Sequence, residues 1–380
     1  MKSHYDVAVV GAGVLGLAHA YHLARRGLKT VVFERTPHAR GASVRNFGML
    51  WPIGQPPGPR YRLARRSLEI WREVLQASGL WYDSTGSLHL AYHDDEAQVL
   101  DEFVHLAGDD CSVSLLDASA VTRRFPALNP EGLRGGMWSD TEVTVDPRQV
   151  IAGLPGWLNR TLAIDFVFGT SVLGYDRPVI RTTGPECRAD RLVVCTGADF
   201  RELAPQSFAE AGLVPCKLQM MRSAPYGPEF RVGTMLAAGL TLRHYQAFSA
   251  CPSLPALIQR FDSEMPEYGK FGIHVLLSQN GLGELVIGDS HEYGAAISPF
   301  DNSRIDELVL QYLRTFINIP DLRIAARWHG VYVKHPTDLY VVAHPQPGMM
   351  AVTGVGGAGM TLSFGLAEQT IHAWLGDSHG

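Results

Sequence analysis

Along this chain the spacing of apolar positions switches repeatedly between strand type and helix type. Val7–Val10 is a short continuous apolar run, as expected of a strand covered on both faces. Glycines follow, then apolar residues at helical spacing up to Gly27, then a second apolar strand ending at Glu34. Helical spacing returns over Arg62–Leu75, Asp94–Leu106, Asn302–Phe316 (bounded by Pro320) and Ser363–Leu375. Strand-type runs occupy Ser87–Ala91, Val167–Val172, Leu192–Cys195, Ala325–Val333 and Met349–Thr353. From Cys216 to Ile287 the pattern predicts strands at Lys217–Arg222, Gly239–Phe248, Gly272–Leu277 and Glu284–Ile287. The GQPPGP stretch (Gly54–Pro59) reads as a loop. The expected fold is α/β: a Rossmann-like nucleotide domain over 1–85, 145–215 and 325–380. An antiparallel-sheet substrate domain over 86–144 and 216–324 is inserted into it.

The first strand–turn–helix–strand unit carries GAGVLG at Gly11–Gly16. Gly11 permits the tight turn out of the strand, Gly13 lets backbone approach a pyrophosphate, and Gly16 lets the helix lie close to the sheet. Val14 and Leu15 open that helix, whose free N–H groups and positive dipole end favour a phosphate. Glu34, 18 residues beyond Gly16, stands where a carboxylate accepts from ribose hydroxyls and repels a 2′-phosphate; Arg35 follows it. The unit predicts a bound dinucleotide.

Composition narrows the partners. With a net charge of −5 and no basic run interleaved with aromatics, nucleic-acid binding is disfavoured. Cys111, Cys187, Cys195, Cys216 and Cys251 are odd in number and widely spaced, which reads as free thiols in a reducing compartment. The first strand begins within a few residues of Met1, and no apolar stretch is long enough to span a bilayer, so a cytoplasmic location is expected. The number of subunits is not legible.

A second glycine fingerprint, GVGGAG (Gly354–Gly359), stands between the Met349–Thr353 strand and the last helix. Only 21 residues follow Gly359, too few for another ribose-binding strand. One reading is a plain close turn. The other places a helix N-terminus against the ring system of the nucleotide already bound, where its dipole stabilises charge on a reduced flavin. One complete ribose-binding unit and this turn together suggest a single FAD.

With these motifs the chain resembles the D-amino-acid oxidase, glycine oxidase and sarcosine oxidase group of flavoproteins over nearly its whole length. The resemblance rests on GAGVLG with Glu34, GASVRNFGML (Gly41–Leu50), TSV (Thr170–Val172), TGA (Thr196–Ala198), RWHG (Arg327–Gly330) and GVGGAG. It implies a glutathione-reductase-like FAD domain. It also implies FAD contacts at Ser43, Asn46, Phe47, Gly48, Met49, Val172, Gly197, Gly356, Gly357, Ala358, Gly359 and Met360. No cysteine lies near the C-terminal flavin segment, so a non-covalent flavin is expected.

The chain departs from the group where an amino acid's carboxylate would bind. Relatives carry an arginine after W-x-G that grips the carboxylate as a fork. Here the segment is WHGVYVKHP, with Tyr332 at the arginine's place; a second family arginine is replaced by Gly357. Period two puts Tyr332 and Lys334 on one strand face. Lys334 is then either an anion anchor or a solvated strand-end lysine. His335, on the opposite face, reads as a loop histidine. His274 stands in place of a family tyrosine that covers the substrate, or is a core histidine.

The run RNFGMLWPIGQP (Arg45–Pro56) resembles a subfamily associated with aminophosphonate breakdown. That resemblance implies oxidation of 2-aminoethylphosphonate or its N-methyl derivative, with oxygen or another acceptor reoxidising the flavin. A phosphonate is tetrahedral and calls for donors arranged in three dimensions. Arg45, Arg222, His274, Tyr332 and Lys334 are the candidates, although Arg45 serves a flavin phosphate equally well. The amine must be neutral to give up a hydride, and no catalytic base stands out. Two other readings remain: an oxidase of a small amino acid (glycine, sarcosine or a D-amino acid), and a non-catalytic flavin-binding or tRNA-modifying protein. No metal site is expected.

Overall fold

A computed structural model describes residues 4–199 and 202–376. The opening unit consists of the strand Tyr5–Val10, the helix Val14–Arg25 and the strand Thr30–Glu34, the two strands running parallel. Gly11 has φ +99°, and a side chain on it would meet the Cys195 carbonyl oxygen at 2.4 Å. A Cβ on Gly16 would come within 1.8 Å of the Gly11 carbonyl oxygen, so helix and turn touch backbone to backbone. Cys187–Val194 pairs parallel with Tyr5–Val10, and Met349–Thr353 pairs parallel with Cys187–Val194. With Asp165–Phe168 at one edge and the hairpin Val172–Asp176/Val179–Thr182 at the other, the sheet has eight strands. The C-terminal helix Gly359–Leu375 packs against Val14–Arg25 and Pro59–Ser78, and Trp71 Nε1 donates to the Met360 carbonyl at 2.8 Å.

A second sheet of nine strands faces this unit. Val214–Ser223 pairs antiparallel with Leu285–Gly288 and, along nearly its whole length, with Ile324–Lys334. Leu276–Gln279, Met235–Ala237, Ser87–Ala91, Gly135–Ser139 and Val113–Asp117 extend it; Met235–Ala237 with Ser87–Ala91 is its parallel pair. The largest apolar core lies against this sheet, and two smaller cores cover the faces of the first.

Several expectations are corrected. Residues 325–334 do not belong with the nucleotide-binding sheet, because Ile324–Lys334 is a strand of the second one. Gly239–Phe248 is a helix, Leu240–His244, followed by a 3₁₀ turn. Leu240, Thr241 and Leu242 are all buried, so alternation there marks no face. Gly272 turns the chain at φ +56° and the following strand starts only at Leu276. Val167–Val172 is split at Gly169 (φ +68°) between two strands. The GQPPGP loop ends in a helix, since Pro59 is the first residue of Pro59–Ser78. The long helix Pro147–Leu162 went unread; its signals are the Asp146 cap, Pro147 in the first turn and apolar Val150, Ile151, Leu154 and Leu158.

Candidate active site

A cavity of about 1070 Å³ runs from the first glycine turn to the second sheet. At its nucleotide end the Glu34 carboxylate is held by its own turn. The Ala12 amide donates to Oε2 at 3.1 Å, and the Thr36 amide and hydroxyl donate to Oε1 at 3.1 and 2.7 Å. Arg35 beside it pairs with Asp199 across the cavity. The Val14 amide, one of the first-turn donors with no partner inside the helix, donates to Ser43 Oγ at 3.0 Å. Gly13 stands against that hydroxyl, where a Cβ would lie 3.1 Å from it, so the lack of a side chain keeps the cradle open. Leu15, Val172 and Gly197 also line this end. A ribose acceptor, a helix start and a side-chain-free turn fit the adenosine and pyrophosphate of FAD.

The segment Gly41–Leu50 crosses beside the helix start, and Ser43, Arg45, Asn46, Phe47 and Met49 line the cavity. Gly48, expected at the flavin, has other work. Gly48 (φ +72°) does not line the cavity; a Cβ on it would strike the Val145 carbonyl oxygen at 2.0 Å, so it lets Met49–Leu50 pair with Val143–Val145. Gly16 is likewise a packing residue. Asn46 reaches the cavity wall, but its amide donates to the Ala42 and Ser43 carbonyls and accepts from the Gly48 amide. It organises the loop.

At the far end, strand register puts Tyr332 and Lys334 on one face, next to the turn Gly356–Ala358. A Cβ on Gly357 would lie 3.6 Å from Tyr332 Oη, so the two departures from the relatives' arginines meet in space. A Cβ there would be in ordinary van der Waals contact with the phenol. Burial pushes the Tyr332 hydroxyl well above its ordinary range, so it is a donor near neutral pH. Lys334 Nζ lies 3.4 Å from Tyr293 Oη and 4.4 Å from the centre of that ring. Among the described residues no carboxylate comes within ion-pair distance of Lys334. Arg45 donates to the His329 carbonyl at 3.1 Å.

His274 is buried in the same end and is not alone. Its ring centre lies 3.8 Å from that of His244 and 5.0 Å from that of His291; His244 and His291 are 4.2 Å apart. Three imidazoles bound tetrahedrally to zinc at about 2.0–2.1 Å would keep ring centres roughly 5 Å apart. The shorter separations, between rings tilted by 43° and 40°, describe a packed cluster tighter than that coordination shell. Burial pushes all three below the usual histidine range, His291 to about 4, so the cluster is uncharged at neutral pH. Tyr245 and Asp289 complete this wall. His244, His291, Tyr245, Tyr293 and Asp289 escaped the sequence reading, since only long-range strand register gathers them.

Arg222 is corrected. It does not line the cavity; its guanidinium faces Glu284 at 3.4 Å, and Glu284 also pairs with Arg148. His335 accepts from the Asp338 amide at 2.9 Å and shapes the loop, as its position suggested. Cys195 lines the cavity beside Gly11.

A family model described as FAD dependent oxidoreductase matches residues 6–373. Monomeric sarcosine oxidase of Bacillus sp. (strain B-0618) is 27% identical over 212 residues, 52% of either chain. Glycine oxidase of Bacillus licheniformis is 29% identical over 230 residues, 57% of this chain and 60% of that one. These matches thus span between half and two thirds of the relatives' length. Among solved structures, L-proline dehydrogenase from P. horikoshii superposes with a TM-score of 0.80 at 18% identity, covering 98% of this chain and 94% of that one. At that identity it is the fold that is shared.

Proposed function

The chain belongs to the FAD dependent oxidoreductase family, and from that premise we propose that it oxidises the C–N bond of a small anionic amine. The substrate we favour is 2-aminoethylphosphonate or its N-methyl derivative. The observation that carries this reading is the contact between Tyr332 and Gly357 where a carboxylate fork would need arginines, with the Lys334 ammonium beside it free of any described carboxylate. An ammonium is a point charge with rotatable donors, and a buried phenol adds one more direction. Such a set suits a tetrahedral anion better than a planar one. Bound FAD supplies the hydride acceptor. The imine formed from the amine then hydrolyses to phosphonoacetaldehyde and ammonia or methylamine.

Each end of the cavity has its task in this reading. Glu34, Ser43 and the helix start hold the dinucleotide, and Gly356–Met360 approach the flavin ring. Phe47, Leu218 and Met220 provide apolar wall that limits water near the reacting carbon. The C-terminal flavin segment itself contains no cysteine, which supports a non-covalent flavin. Five unpaired cysteines support a reducing, cytoplasmic setting; among the described residues no helix is long and apolar enough to cross a membrane. Reoxidation falls to oxygen or another acceptor.

A second reading is oxidation of a small amino acid, with Arg45 taking the carboxylate. The names of the sarcosine- and glycine-oxidising relatives favour it. One experiment separates the two: the purified yellow protein is mixed without air with aminophosphonates, glycine, sarcosine and D-amino acids, and bleaching of the flavin is followed. The first reading expects aminophosphonates to bleach fastest. Faster bleaching by glycine, sarcosine or a D-amino acid establishes the second.

A further inference from the structure

Asp289 is a carboxyl group walled into the substrate end and still lacking a hydrogen bond on one oxygen. It is 4% exposed and lines the cavity. Its main chain exchanges hydrogen bonds with that of His274, which fixes the two residues side by side. His274 Nε2 stands 3.2 Å from Asp289 Oδ1, close enough for an ion pair but without hydrogen-bond alignment. Oδ1 and both ring nitrogens of His274 therefore have no hydrogen-bond partner. A buried carboxylate left this way is costly unless a ligand brings it a cation or a proton.

The groups around it do not satisfy it. From the helix Leu240–His244 and its end come Arg243, His244 and Tyr245; Arg243 is turned toward Asp262, and no arginine or lysine pairs with Asp289 among the described residues. From the neighbouring strands come Cys216, Tyr293, Tyr332 and Lys334, and from the turn beside it His291. The thiol and the phenols are held protonated by burial, Cys216 at about 11. Burial also pushes the Asp289 carboxyl well above its ordinary range while keeping the imidazoles neutral. A proton arriving here is best placed on the carboxylate, where it removes a buried charge.

We propose that Asp289 is a catalytic residue that takes the proton from the substrate's ammonium group, and that His274 is the positioning residue that keeps its carboxyl turned to the cavity. This rests on the amine reading above. In the step, one N–H bond of the ammonium breaks and its electron pair stays on nitrogen. An O–H bond forms on the Asp289 carboxylate, whose Oδ1 stands against His274, and nothing is oxidised or reduced. The neutral amine left behind is the form that can surrender a hydride. The proton held by Asp289 is then released to solvent, because hydrolysis of the iminium already frees the product amine in its protonated form.

The test uses the FAD-loaded protein and two readouts. The first is the pH dependence of anaerobic flavin reduction by 2-aminoethylphosphonate in the wild type and in Asp289→Asn. The wild type should react with an apparent pKa well below that of the free ammonium. The variant should lose about a hundredfold in rate at neutral pH and regain it as pH approaches the free amine's pKa. The second is infrared spectroscopy of the wild type labelled in its aspartate carboxyls. A 2-aminoethylphosphonate whose amine-bearing carbon carries two methyl groups in place of hydrogens cannot be oxidised, and its binding should produce a new protonated-carboxyl band. A band already present without the ligand, or none with it, overturns the proposal whether or not the variant folds. So does an Asp289→Asn profile that coincides with the wild type's. If no amine bleaches the wild-type flavin, the amine reading itself has failed; if amines bleach both proteins alike, only the role of Asp289 has.

Discussion

The two ends of the cavity are built on different principles. At the nucleotide end the recognising groups are backbone amides, glycine gaps and one carboxylate, drawn from neighbouring stretches of chain and already tied to each other. Glu34 is held by Ala12 and Thr36, and Ser43 by Val14. At the substrate end the groups are side chains from the Leu240–His244 helix, from strands and from the turns that hold His274, Asp289 and His291, with the Gly356–Ala358 turn beside them. His274 and one oxygen of Asp289 have no hydrogen-bond partner, and the Lys334 ammonium meets the Tyr293 hydroxyl but no described carboxylate. Preformed bonds make the first end a receptor with little freedom to change. Unmet polar groups make the second costly until something fills it.

The largest break expected is at the rigid end. Gly16→Val would drive a side chain into the Gly11 carbonyl oxygen, from which even a Cβ stands only 1.8 Å. Overpacking of backbone against backbone should cost on the order of 3 kcal/mol or more. The purified variant should be colourless and melt earlier, by flavin absorbance and thermal unfolding. A yellow, equally stable variant would show that the helix does not need this contact.

Acid should weaken the frame at both ends. His19, in the first helix, and His89, in the second sheet, are buried neutral, with burial lowering them to about 4 and about 3. Folded pKa values below the unfolded 6.5 mean that the unfolded chain binds more protons as pH falls. Stability is therefore full above about pH 6.5 and lost progressively toward 4, by on the order of 3 kcal/mol for each at most. His19→Gln and His89→Gln should each flatten the dependence of the melting temperature on pH between 6.5 and 4. An unchanged slope in both would place the acid sensitivity elsewhere.

Lys334→Ala tests the substrate end alone. Losing a charge-assisted hydrogen bond costs roughly 1.5–3 kcal/mol, about ten- to a hundredfold in affinity. The dissociation constant for 2-aminoethylphosphonate should rise by that factor with FAD retained, while uncharged amines of similar size are little affected. Arg45→Ala, read the same way, decides whether that guanidinium serves the substrate or the flavin: weakened FAD retention would assign it to the flavin. The smallest effect belongs to Arg222→Met. Its pair with Glu284 is partly open to solvent, so stability should change by about 1 kcal/mol or less and substrate binding not at all.

The same contrast explains what the chain's sequence discloses. Gly11, Gly16 and Glu34 act through backbone geometry within one βαβ unit, so their spacing alone specifies their positions. Tyr332 and Lys334 share a face because a strand alternates, while His335 lies past the strand's end. His244 was lost inside a segment read as a strand, and Asp289 and His291 lie in a turn without local pattern. Their meeting with His274 depends on pairing between residues far apart in sequence. Arg222 shares a strand with cavity-lining Leu218 and Met220, yet two residues further on it has passed beyond the cavity to Glu284.

The central claim is that the substrate end prefers a tetrahedral anion to a planar one. Its most direct measurement compares 2-aminoethylphosphonate with β-alanine, the same amine on the same two-carbon chain ending in a carboxylate. The rate of anaerobic flavin reduction at limiting substrate should favour the phosphonate by about tenfold or more, the weight of one charge-assisted contact. Equal rates, or a preference for β-alanine, would contradict it.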